Sequence, residues 1–236
     1  WMRGPPLRRA GGLTSRAPAR MACSPDGKRP RDVSPSRWCI SKEDLDHFEQ
    51  EVRAAWSRGD ITDDPSFPNP YHNDEKVGPS IYRVMECVIK PKTLAAGGMS
   101  WALMRHPDGL PCDAFVTHAW AEGVFEWIDK VRQLWPWRAK HLYCCFLSNP
   151  QNTDIGAMLG DDPMGSPFAS ALVRARYMLV IPNRRQSLYG RLWCVFEAHL
   201  ALQCGLDTRM PRRPSAAMAA RVLLPGCALF AVAFAV

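Results

Sequence analysis

The chain has nine cysteines but no Cys-x-x-Cys pair, and no Cys/His pairing at the short fixed spacings of a zinc site. That excludes a zinc finger or ribbon. HExxH, GxSxG and glycine-rich phosphate loops are absent as well, which argues against zinc peptidases, nucleophile-elbow hydrolases and P-loop NTPases. No secretory signal is visible, and no internal repeat of fixed period occurs. An odd number of cysteines without a framework pattern reads as reduced, mostly buried thiols. The expected setting is intracellular and cytoplasmic.

Basic charge is missing where a nucleic-acid surface would need it. The formal net charge is +7, but residues 1–40 hold nine Lys/Arg against two Asp, and residues 207–236 hold four Arg against one Asp. The middle, 41–206, holds 17 basic and 20 acidic residues. A slightly acidic core lacks the basic face that phosphate binding requires, so no nucleic-acid partner is expected. The first 40 residues also lack apolar periodicity and are rich in Arg, Pro, Gly and Ser. Such a segment cannot bury enough surface to offset chain entropy, and a disordered basic tail is expected over 1–40. Its Arg-rich, acid-poor composition is also that of an organelle transit segment. At the other end, 207–236 reads as a linker and an apolar C-terminal segment, "RVLLPGCALFAVAFAV". Pro225 and Gly226 interrupt that run, which is shorter than the roughly 20 residues of a membrane span. A membrane anchor, a buried strand or hairpin and a misassembled reading frame all stay open for it.

What is present suits a packed domain: 47% apolar and 10% aromatic residues. A helical extension is expected over 41–109. Its first helix has Ser41 as N-cap with Asp44 three residues on, then Leu45, Phe48, Val52 and Trp56 on one stripe. After a polar, Pro-rich loop, "PSIYRVMECVIKP" is a second helix, with Ile81, Val84, Met85, Val88 and Ile89 aligned and Pro91 closing it. From Leu110 the pattern alternates. "CDAFVTHAW", "HLYCCFLSNP" and "RYMLVIP" are apolar strands. A helix with Val124, Ile128, Val131 and Trp135 on one face follows the first strand and stops at Pro136. The second strand is followed by a helix capped by Ser166, with Pro167 at its first position. After the third comes "SLYGRLWCVFEAHLALQCG", with Ser187 as cap and Gly205 as stop. Adjacent Cys144 and Cys145 would face opposite sides of the second strand.

This alternation predicts an α/β domain over 110–206, a parallel sheet with helices on both faces. Ligands of such sheets bind beyond the carboxyl ends of the strands. Thr117 to Trp120, Ser148-Asn149 and Pro182 to Ser187 reach that edge, as does the start of the last helix. There "RLWCVFEAHL" puts one carboxylate, Glu197, into an apolar helical run. Trp193 and Glu197 share a helix face, and a carboxylate beside an indole is partly desolvated, which raises its pKa. The bland alternative is a core Trp with Glu197 reaching water past it. His118 is a candidate base or ligand, although a loop histidine bonded to backbone is the commoner case. Asp161-Asp162 reads as a solvated turn, and Arg184-Arg185 as a solvated pair or a phosphate contact. Cys194 would need a base, and His199 lies about 140° round the helix from it.

"SLYGRLWCVFEAHLAL" resembles the last motif of Toll/interleukin-1 receptor (TIR) domains, especially plant and protist forms, which end similarly in Trp-Cys-x-x-Glu. "SPFASALVRARYMLVIPN" is similar to the helix and strand before that motif, and "CDAFVTHAWAEG" to the family's first strand and loop. The resemblance covers about 110–205, with three motifs in the right order. It implies a flavodoxin-like fold and signalling by self-association or partner binding. In enzymatic members it also implies cleavage of the nicotinamide–ribose bond of NAD, as substrate rather than cofactor, with Glu197 at the catalytic position. Trp193, His118, Trp120 and Ser148 are the candidates for NAD contact. No metal is implied. The family normally continues with two more strand–helix units, and the loop "SNPQNTDIGAMLGDDPMG" is longer than its counterpart in enzymatic members. A sheet incomplete at its C-terminal side is therefore expected.

Overall fold

The computed structural model describes residues 33–154, 158, 162–183 and 187–211. Order starts before Ser41, where the sequence places a disordered tail. Pro35–Arg37 form a 3-10 turn. Trp38 then bridges Leu110, and Ile40 exchanges two backbone hydrogen bonds of 2.9 Å with Leu142. Cys39 and Ile40 are fully buried, so apolar side chains anchor this stretch despite its basic neighbours.

Helix α1 (Lys42–Ser57) has the expected capping box: Ser41 Oγ accepts from Asp44 N–H, and Asp44 returns the bond to Ser41 N–H. The buried Asp44 carboxylate also accepts from Arg105 at 3.0 Å and is 2.6 Å from His106 Nε2. It thus ties α1 to α4 (Trp101–Arg105). The second helical segment does not stop at Pro91. It runs through α2 (Ile81–Val84), a π-helical turn (Met85–Ile89) and α3 (Lys90–Ala95). Lys90 N–H bonds to Met85 O across the wide turn. Proline lacks a donor and crowds the carbonyl four residues back, and a π-turn relieves both conflicts.

Four parallel strands follow: β1 (Ala114–His118), β2 (Leu142–Cys144), β3 (Tyr177–Ile181) and β4 (Asp207–Arg209). Their order is β2-β1-β3-β4, the first four of the flavodoxin-like order. β4 lies in the segment the sequence reading assigns to a linker. Its pairing is with β3, Tyr177 to Leu179 opposite Asp207 to Arg209. The strand is short, polar and mostly exposed, so it shows neither the alternation nor the apolar run that marks a strand. Its outer edge is open among the described residues, whereas Ile40 pairs the outer edge of β2.

Helices cover both faces. Ala114, Val116, Leu142, Cys144, Tyr177, Leu179 and Ile181 face α1, α4 and α5 (Val124–Leu134). Phe115, Tyr143, Met178 and Val180 face α7 (Pro167–Leu172) and α8 (Leu192–Gln203). The strand period of two makes this division. Ser166 caps α7 as expected, accepting from Ala169 N–H. Ser187 does not cap α8. A 3-10 turn (Leu188–Gly190) intervenes, and Arg191 at the N-cap makes no side-chain bond. Helix α5 likewise lacks a side-chain cap. Its first N–H groups bond to the carbonyls of Pro79 and Val77 at 2.9 and 3.1 Å, which satisfies orphan donors from outside the helix. That approach requires glycine at its N-cap: a Cβ on Gly123 would lie 2.2 Å from Val77 O.

Candidate functional site at the carboxyl edge of the sheet

Strand order reverses between β1 and β3, and the carboxyl ends there are where open α/β sheets hold ligands. β1 delivers two polar side chains to this edge. Thr117 turns toward α8, while His118 turns toward α5, packing on Trp127 at 5.7 Å and Phe146 at 5.3 Å between ring centroids.

β2 ends at Cys144, several residues before the end of the apolar run "HLYCCFLSNP" that its sequence suggests as a strand. After Cys144 the chain turns into a four-residue helix, α6 (Cys145–Ser148). Ser148 Oγ accepts from Cys144 N–H at 3.0 Å, and Gln151 Nε2 donates to the carbonyls of Cys145 and Asn149, both at 3.0 Å. These bonds hold the turn. It corrects the expectation of opposite faces for the two cysteines: both sulfurs come to His118 Nε2, Cys145 Sγ at 3.5 Å and Cys144 Sγ at 3.7 Å. Trp120 Nε1–H donates to Cys145 Sγ at 3.2 Å. The Cys144 thiol beside it, outweighing burial, holds the Cys145 thiol well below the usual range, helped by His118 and Trp120. Burial pushes Cys144 up. His118 Nδ1 and Thr117 Oγ1 are buried without a hydrogen bond.

Glu197 arrives from α8 on the Thr117 side and is 6% exposed. Burial raises its pKa to about 8, against the pull of the nearby Thr117 hydroxyl and the Arg191 guanidinium, while charge on Cys145 adds to the rise. Cys194, one turn earlier, donates Sγ–H to the His118 carbonyl at 3.7 Å. His199 is exposed while Cys194 is buried, so the two do not form a nucleophile–base pair.

The edge therefore brings His118 and Trp120 onto Cys145, with Glu197 near enough to feel its charge and Ser148 in the turn that Cys145 opens. The hydroxyl of Ser148 is engaged by the backbone. Trp193 is not part of this group: its ring stacks on Phe168 at 5.5 Å and meets Phe196 edge-on at 5.7 Å. Asp162 caps a 3-10 turn, accepting from Met164 N–H, as a turn residue should. Asp161 and Arg184-Arg185 lie outside the described residues, and so does the apolar C-terminal segment. No described helix is long and apolar enough to cross a membrane. Among the described residues no group of three His, Cys, Asp or Glu is placed to hold a metal ion. Two open clefts, of about 360 and 520 Å³, lie elsewhere, one between α1 and α3 and the other beside β4.

Sequence reading misses Cys145 because it treats the cysteine pair as one strand. The available signal is positional: a cysteine just past a strand, level with a histidine that ends the neighbouring one. Chemically, the arrangement pairs a thiol with a ring nitrogen, the elements of an activated nucleophile. Compared with known proteins, the chain matches no family model, no curated protein and no solved structure.

Proposed function

We propose that this chain is a TIR-like protein-interaction module that self-associates through the outer face of α8. The observation that carries this reading is the exposure of that face. Leu192 is 84% exposed, Leu202 81% and Val195 43%, at spacings of three and seven residues, which put them on one stripe. Exposed apolar patches on a folded domain mark interaction sites. His199 is the only titratable exposed side chain on the helix, so the face offers no charge pattern to match a different partner. An uncharged patch is self-complementary, as a two-fold interface between identical chains requires. The proposed occupant is a second copy of this chain. Sedimentation of the parent should show concentration-dependent association, and a Leu192→Glu/Leu202→Glu double variant should stay monomeric with an unchanged circular dichroism spectrum. A parent that sediments as a monomer at every concentration overturns the reading.

A second reading is NAD glycohydrolase activity with Glu197 as the catalytic carboxylate. It is favoured by a buried acid at the sheet's carboxyl edge, where a carboxylate could stabilise an oxocarbenium-like ribose. Glu197 must lose its proton before it can do so. Nicotinamide release should then rise with pH through about 8 and vanish in Glu197→Gln. No release by the folded parent at any pH would sink this reading and leave the first untouched.

A further inference from the structure

We propose that Cys145 is a nucleophilic thiol, poised by His118, Cys144 and Trp120 for covalent modification by small-molecule disulfides. The case rests on convergence. A ring nitrogen at 3.5 Å and an indole N–H at 3.2 Å point at one sulfur, and no other described cysteine has both. The neighbouring Cys144 shares the same nitrogen but is fully buried, whereas Cys145 is partly exposed at the sheet edge. An N–H donor at the sulfur and a ring nitrogen that can take its proton favour the thiolate, which is the reactive form. The site also has reserve polar capacity, since His118 Nδ1 is buried without a partner.

The reaction balances without a redox cofactor. The Cys145 proton passes to His118 Nε2. The thiolate attacks one sulfur of the disulfide, a new S–S bond forms, and the old one breaks. The departing thiolate carries the electron pair and takes the proton back from His118. Cys145 is oxidised to a mixed disulfide and one equivalent of small thiol is released.

Several groups act on the pH response. His118 comes from β1, and Cys144 and Tyr143 from β2. Glu197 and Cys194 face Cys145 from α8 and interact with it electrostatically. A Glu197 that keeps its proton to about pH 8 adds no negative charge below that, so the thiolate persists toward acid.

The test is labelling of the full chain with iodoacetamide, read site by site by peptide mass spectrometry. Exposed Cys204 serves as the internal reference. At about pH 6.5 Cys145 should label roughly tenfold or more faster than Cys204, since the thiolate is the form that reacts. Glutathione disulfide should modify Cys145 first. His118→Gln should remove the advantage. Trp120→Phe, which keeps the ring and loses the N–H, should reduce it with folding intact. Labelling of Cys145 no faster than Cys204, labelling only after denaturation, or unchanged rates in both folded variants would each overturn the proposal.

Discussion

Burying a carboxyl group changes how stability responds to pH, and the described residues bury two glutamates, Glu122 and Glu197, besides Asp44. Burial raises Glu122 to about 8 even though Lys130 Nζ lies 3.2 Å away, and Glu126 adds to the rise. In the unfolded chain both acids titrate near the ordinary glutamate value of about 4.3. Between that value and about pH 8 the folded state holds protons that the unfolded state has lost. Stability from these groups is therefore full below the unfolded value and falls as pH rises, by about 1.4 kcal/mol per pH unit per group. Asp44 has the opposite sign and a different window. Burial raises it, but the Ser41 N–H, His106 and Arg105 outweigh burial and lower its pKa. Its contribution is lost only as pH falls through the folded value. Melting temperatures measured from about pH 5 to 8 should decline, and Glu197→Gln should remove about half of that slope. An unchanged slope in the folded variant would mean that Glu197 ionises freely. At this scale the sequence is informative about Glu197, since one carboxylate in an apolar helix is visible by inspection. Cys145 is not, because its surroundings come from β1 and the turn after β2.

Elements with strong periodicity are legible in the sequence. The apolar stripes of α1 and α5 mark helices, and the continuous apolar runs of β1 and β3 mark strands. Each keeps its pattern because its partners lie on the side the pattern indicates. Where the structure departs from the local pattern, one cause recurs: a neighbouring element outweighs the local signal. Pro91 should end a helix, yet a π-turn supported by buried Met85 and Ile89 carries the chain past it. Ser187 should cap α8, yet a 3-10 turn inserted before Arg191 moves the start. β4 has no strand signature and is held by β3 alone. α8 is apolar nearly all round, which normally marks a helix buried on every side. Only the structure shows that one stripe of it, Leu192, Val195 and Leu202, is left uncovered among the described residues.

At the scale of the whole molecule, the helical extension and the sheet share one core. Phe48 of α1 packs on Phe146 at 5.8 Å and on Trp101 of α4 at 5.7 Å, and Phe146 meets Trp127 of α5 at 4.9 Å. The Asp44 hub and the Ile40–Leu142 bridge add polar links between the same parts. Residues 41–109 therefore belong to the folded unit rather than standing beside it. Urea unfolding followed by tryptophan fluorescence and by far-ultraviolet circular dichroism should give coincident midpoints, the mark of one cooperative transition. Two separated transitions would mean that the extension unfolds on its own.

The sequence by itself determined the class of this protein. Apolar periods of about 3.6 and 2 are properties of neighbouring residues, and their alternation after Leu110 leads to a parallel sheet covered on both faces. The tertiary structure alone decided strand order, the fourth strand, the convergence of His118 and Trp120 on Cys145, and which side of α8 stays bare. Each of these depends on contacts between residues distant along the chain, and no local pattern of size, charge or spacing encodes which distant side chain arrives.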